Sequence, residues 1–220
     1  MCETVKADLP AWVDEFERQV GNLLAMGYPA LCRQTNESFA AHADALRAHL
    51  PQLRVRKKIG NAPFVIVVKQ EWAPLELVMP KVNVNGRSGT VDMTPVSPSD
   101  FHPIAGQECP AGGLYLLEDV DTGRETLNVT PEKALKAILA AGRLPLTIDE
   151  GVSFVAHYPQ ILTNKRVFNC IQMPGSRRSD QRIPSLWISH NRPRLGWCWD
   201  RNPHTWLGSA SCSRRLGVKP

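Results

Sequence analysis

The chain has 220 residues, of which 43% are hydrophobic and 21% charged, close to the globular average, so disorder is not the default reading, and no low-complexity tract is visible. Its longest unbroken apolar run, Phe64 to Val68, is far short of the roughly 20 residues that span a bilayer, and acidic residues near the start with no apolar stretch argue against a secretory signal. The formal charge of +5 conceals a polarised molecule: from Lys165 onward eleven Lys and Arg face only Asp180 and Asp200, while the rest carries fifteen basic and nineteen acidic groups.

Asp8-Leu9-Pro10 predicts a helix start, with a capping side chain followed by a proline in the first turn. Trp12, Phe16, Val20, Leu23 and Leu24 then recur at helical spacing until Gly27. A second helix opens at Thr35 or Asn36, places Phe39, Leu46 and Leu50 on one face, and closes at Pro51; His42 and His49 read as its surface or half-buried members. A basic patch follows, Arg54 to Lys58. The β-branched run Phe64 to Val68, bounded by Asn61-Ala62-Pro63, reads as a buried strand. Trp72 to Val84 is ambiguous, extension up to the Asn85-Gly86 turn being one reading, with Thr90 to Met93 returning as a strand.

Residues 94–113 hold four prolines and three glycines without periodicity and are expected to form a long loop, read as an excursion within one domain spanning 1–220. The acidic strand after it, Leu114 to Val120, needs sheet neighbours, which the earlier strands supply. Thr130-Pro131-Glu132 starts a helix with Ala134, Leu135, Ile138 and Leu139 as its stripe and Gly142 as its stop. Thr147 to Glu150 is a capping box for a helix that ends at Pro159. This pair could be a helix-turn-helix, but the second helix has no basic or amide side chains in its first turns to meet DNA. A meander closes the chain: strands near Val167–Met173, Ile183–Ser189 and Arg194–Trp199, with turns at Pro174-Gly175 and at His190 to Pro193. The expected class is α+β, a mixed or antiparallel sheet with this three-stranded meander, packed against about four helices.

Charge and aromatic surface coincide in the last quarter, which holds four of the six tryptophans. In an extended third strand, Leu195, Trp197 and Trp199 share one face, read as a core wall, while Arg194, Gly196, Cys198 and Asp200 share the other. Three chemistries compete there. Arginines clamp phosphate or carboxylate bidentately and interleaved tryptophans stack on bases; Arg177, Arg178, Arg182, Arg192 and Arg194 are the candidate charge contacts, and Trp199 and Trp206 the candidate stacking rings. Cys198 could be a nucleophile, with His204 or His190 as base and Asp200 as orienting carboxylate, in a pocket closed by the 94–113 loop. A zinc site from His190, Cys198, Asp200 and His204 has suitable ligand types, but the spacing matches no common pattern, so no metal site is expected. Cys2, Cys32, Cys109, Cys170, Cys198 and Cys212 are scattered, which favours reduced thiols and a cytoplasmic setting.

PLTIDEGVSFVAHYPQIL, GSRRSDQRIPSLWIS and GWCWDRNPHTWLGSAS resemble the hallmark segments of a bacterial, mainly actinobacterial, family known only as a domain of unknown function. The resemblance covers nearly the whole chain. It implies one compact bacterial cytoplasmic unit of about this length and supplies neither catalytic residues nor a cofactor. The leading expectation is therefore binding of an anion (nucleotide, nucleic acid or acidic metabolite) by the basic, tryptophan-rich C-terminal segment. The alternatives are a small biosynthetic enzyme using Cys198, Asp200 and His204, and a non-catalytic module whose basic face meets an acidic protein.

Overall fold

The computed structural model describes residues 4–6, 8–56 and 58–218. Cys2, Lys57 of the basic patch and Lys219 lie outside the described residues.

In chain order, β1 (Thr4–Lys6) precedes α1 (Leu9–Ala25), which buries Phe16, Val20 and Leu23 as its spacing predicts. Pro10 sits in its first turn, but Asp8 makes no side-chain cap. The one-turn α2 (Tyr28–Leu31) leads to α3 (Asn36–Asp44), which Thr35 caps by accepting from the Ser38 amide. The predicted second helix is thus shorter than expected. Beyond Asp44 the chain tightens into a 3-10 stretch, Ala45–Gln52, that contains Pro51 and still buries Leu46 and Leu50. His42 is exposed and His49 half-buried.

β2 (Arg54–Arg56) is followed by the buried β3 (Ala62–Val68). The ambiguous stretch after Trp72 resolves into α4 (Leu75–Val78) and a 3-10 turn rather than an extended run. Only β4 (Asn83–Val84) is extended there, and it pairs with β5 (Arg87–Ser88) across Asn85-Gly86, both at positive φ as a tight hairpin turn requires. β6 (Thr90–Val91) leaves for another sheet. The long loop carries β7 (His102–Pro103). Then come β8 (Leu114–Val120), α5 (Pro131–Ala140), β9 (Leu144–Pro145) and α6 (Ile148–His157). The rest is β10 (Cys170–Gln172), β11 (Ser176–Arg177), β12 (Arg182–Ser189), β13 (Arg192–Trp199), β14 (Leu207–Ser209), β15 (Ser211–Cys212) and β16 (Arg214–Gly217).

The architecture is α+β. β3, β8 and β16 form one antiparallel sheet, and the order β14-β10-β12-β13-β6 forms another. In the second, β10, β12 and β13 are the antiparallel meander, flanked by parallel pairings of β14 with β10 and β6 with β13. β11 pairs with β7, tying the long loop to the meander. One hydrophobic cluster runs from Phe16 to Cys212 and includes β3, β8 and the inner face of the meander.

α6 is the central helix of that core. Every residue from Ile148 to His157 is buried except Asp149, which is half-buried, so the helix offers no face to a DNA groove. His157 accepts at Nδ1 from Asn22 (3.3 Å) and donates from Nε2 to the Ile66 carbonyl (3.0 Å), the arrangement of a neutral ring. Burial lowers its pKa to about 4. Burial raises that of Asp149 to about 7, with the Gln70 amide opposing and the Glu150 and Glu71 charges adding to it.

Buried carboxylates explain much of the basic sequence. Asp119 takes Arg56 at 2.6 Å and Arg143 at 2.7 Å, and Asp121 takes Lys58 at 2.7 Å, so the patch after residue 53 anchors β8. Arg214 pairs with Glu118, and Arg215 with Glu150.

Candidate anion-binding site

β12 and β13 pair in register from Arg182 opposite Trp199 to Ser189 opposite Arg192. His190 and Asn191 close the hairpin with φ of 50° and 61°, the left-handed pair a two-residue turn demands. Residues directly opposite one another share a face, so the hairpin has two distinct surfaces.

On the first, Leu186 and Leu195 are fully buried, as a core wall should be. The wall stops there. Trp199 is 41% exposed and Trp197 half-buried, which corrects the expectation that Leu195, Trp197 and Trp199 all line the core. The two rings meet edge-on at 5.4 Å, and the Arg182 guanidinium lies 4.3 Å from one centroid and 4.9 Å from the other. The Trp197 indole donates to the Met93 carbonyl at 3.0 Å.

Carboxylates hold the arginines at this end. Asp180 accepts from both Arg178 and Arg182, and Asp200, 4% exposed, faces Arg177 at 3.2 Å. Arg201 reaches Glu132 at 3.8 Å.

The second surface carries Arg192, Arg194, Gly196 and Cys198 of β13 opposite Ser189, Trp187, Ser185 and Ile183 of β12. Cys198 lies 3.2 Å from the Ser185 hydroxyl and 3.2 Å from the Gln172 amide. Burial pushes the thiol pKa up, and the nearby Asp200 charge adds to the shift. A nucleophilic cysteine needs the opposite. His204 packs edge-on against Trp206 at 5.4 Å, with Nε2 buried and without a partner among the described residues, and partial burial lowers its pKa. No hydrogen bond joins Cys198, Asp200 and His204 to one another. Among the described residues the thiol's hydrogen-bond partners are Ser185 and Gln172, not a histidine. Among the described residues no group of three or more His, Cys, Asp or Glu side chains could hold a metal ion.

At the other end the hairpin tip borders an open cleft of about 500 Å³, lined by Arg87, Asp92, Ser189, His190, Arg192 and Arg194 together with Thr90 and Val91. The parallel pairing of Thr90 with Arg194 and Val91 with Leu195 builds it, because it swings the β4–β5 hairpin and Arg87 up against the tip. Arg194 is engaged by Asp92, donates to Ser189 Oγ at 3.3 Å, and lies 5.5 Å from the Trp187 centroid. Arg87 and Arg192 have no carboxylate partner among the described residues. Of the predicted charge contacts, the cleft therefore gathers Arg192 and Arg194 and leaves Arg177, Arg178 and Arg182 at the far end. Arg87 was not foreseen. The Asn85-Gly86 turn marks its hairpin, but nothing local links that hairpin to β13.

Fold and site together define an α+β protein with an arginine-lined cleft at the tip of a sheet hairpin. Residues 22–218 match the model of DUF5701, a family of unknown function, and the chain belongs to that family. No curated protein and no solved structure matches it.

Proposed function

We propose that the protein binds an anionic ligand in the cleft between the β12–β13 tip and the β4–β5 hairpin, within a reducing bacterial cytoplasm. The observation that carries this reading is a charge imbalance in one concave place: among the described residues Arg87 and Arg192 stand without a carboxylate, and Asp92, the one acid of the lining, is already held by Arg194. Guanidinium groups in such a position are ready to receive oxyanions bidentately, at about 1.5–3 kcal/mol for each charged hydrogen bond. The five described cysteines are all free thiols, which suits a reducing compartment. Among the described residues no helix is long and apolar enough to cross a membrane.

The test is titration with inorganic pyrophosphate, a labelled nucleotide and a dicarboxylate at two salt concentrations. Binding should weaken with salt. Arg192→Ala and Arg87→Ala should each weaken it by about tenfold, the equivalent of roughly 1.4 kcal/mol. Arg178→Ala, whose arginine is paired with Asp180, should leave affinity unchanged. Absence of binding at low salt, or equal losses in all three variants, would overturn the reading.

A further inference from the structure

The surface of β12 and β13 that carries Arg192 and Arg194 does not end at the cleft. The next side chain along it is Trp187, whose indole lies over Gly196: a Cβ at Gly196 would stand 2.4 Å from the ring, so the missing side chain makes the seat for the tryptophan. From there the row continues. Trp187 meets Trp206 edge-on at 6.4 Å, and Lys165 Nζ lies 5.8 Å from the Trp206 centroid. Trp206 is 38% exposed. Arg124 donates to the Lys165 carbonyl at 3.0 Å and the Phe168 carbonyl at 2.8 Å, which fixes the loop that presents the lysine. Asp92, bonded to Arg194, is among the described residues the one acid in the lining of the cleft from which the row starts.

We infer that the ligand is a single-stranded nucleic acid, its phosphates gripped in the cleft by Arg87 and Arg192, its bases meeting the Trp187–Trp206 pair, and its backbone reaching Lys165. This rests on the cleft being the anion site. A mononucleotide or a small acidic metabolite fills the cleft but leaves the second half of the row, Trp206 and Lys165, without a role. A duplex presents phosphates but keeps its base faces stacked inside. A single strand offers both at once: a repeating negative charge for cations at either end and aromatic faces for the rings between them, the combination used by sequence-tolerant single-strand binders. Trp199, on the opposite surface of the hairpin beside Arg182, lies outside this path.

The experiment compares labelled oligo(dT) and oligo(U) of about eight nucleotides, within the usual range of single-strand sites, with a mononucleotide and a duplex of the same length. Both anisotropy and tryptophan fluorescence are followed. The single strands should bind about tenfold or more tightly than the mononucleotide and quench tryptophan emission. Trp206→Ala should weaken the single strands by about tenfold without changing mononucleotide affinity, while Trp206→Phe, which keeps a ring, should retain most of the binding. Lys165→Ala should reduce the slope of log affinity against log salt by about 0.7. If mononucleotide and oligonucleotide bind equally and Trp206→Ala changes neither, the single-strand inference falls and the anion cleft stands. If the duplex binds as tightly as the single strand, the inference also falls. If no phosphate compound binds at all, both readings fall together.

Discussion

Replacing Arg215 with methionine asks whether the last arginines of the chain are fold elements or spare charge. Arg215 and Glu150 are the most deeply buried ion pair described, with side chains 5% and 0% exposed. Glu150 Oε2 accepts from the Thr147 amide at 2.6 Å and from Arg215 Nη2 at 3.0 Å, and Oε1 accepts from the Tyr115 hydroxyl at 2.9 Å and from Arg215 Nε. Arg215 further donates to the Pro145 carbonyl at 2.9 Å. The ion pair therefore joins β16, β9 and the first turn of α6, and through the Tyr115 hydroxyl on Glu150 it reaches β8. Methionine preserves most of the apolar stem but leaves a carboxylate in the core with only two neutral donors, and breaking such a pair costs about 3–5 kcal/mol. In a chain of this size each kcal/mol moves the midpoint by about 2–4 °C, so Tm should fall by roughly 6–20 °C. Urea unfolding followed by tryptophan fluorescence gives the free energy directly, with the slope m expected to stay constant. Adding Glu150→Gln to Arg215→Met should restore more than half of the loss, because the uncompensated charge is gone. A loss below about 1 kcal/mol in Arg215→Met would place the pair in the class of screened surface bridges and refute the structural assignment.

Two further outcomes follow from buried groups. Asp149, with its pKa raised to about 7, holds a proton in the folded state that the unfolded state releases near 3.8, so its contribution is present at low pH and is lost as pH rises to 7. His157, lowered from 6.5 to about 4, acts in the opposite sense: the unfolded state takes up a proton first, and roughly 3 kcal/mol is lost as pH falls through that window. The two slopes oppose one another in the native protein. Asp149→Asn should expose the histidine's slope, so that stability measured by denaturant titration rises from pH 4 to 6.5 more steeply than in the native protein; a flat difference curve would contradict this assignment. Gly123 has φ of 79°, and a Cβ there would stand 2.1 Å from the Ser209 carbonyl oxygen, so Gly123→Ala should cost at least about 2 kcal/mol in a thermal melt. A melt within about 0.5 kcal/mol of the native protein, the usual scatter of harmless substitutions, would show that the β14 contact yields freely.

Features that depend on a few adjacent residues were legible in the sequence. Thr35 and Thr130 cap their helices, Glu150 closes back on the Thr147 amide, and Phe64–Val68 is buried strand as its composition promised, although the strand starts two residues earlier, at Ala62. Alternation also assigned the faces of β13 correctly. What it could not convey is how far a core extends along a face, and Trp199 reaches past the edge of the core that Leu195 still belongs to. β14, β15 and β16 escaped notice because two to four residues are too few to show a period, and each is fixed by a remote partner: β10, β9 and β8. The same remoteness blurred the site. Pooling the arginines of the last quarter counted Arg214 and Arg215 with Arg192, although the first two are spent on Glu118 and Glu150. Arg87 belongs with Arg192 only because β6 runs beside β13.

Those final short strands also bear on how the protein is made. β14, β15 and β16 follow one another within Leu207–Gly217, yet they complete three different sheets. While translation is under way, β8 has β3 beside it but an open flank, β9 has no neighbour, and β10 lacks its outer partner. Each is an unpaired edge of the kind that invites association with other nascent chains. All three are synthesised within the same eleven residues, so these sheets should be completed in one late event after synthesis of the other strands, and deleting Leu207–Gly217 would leave all three unfinished at once.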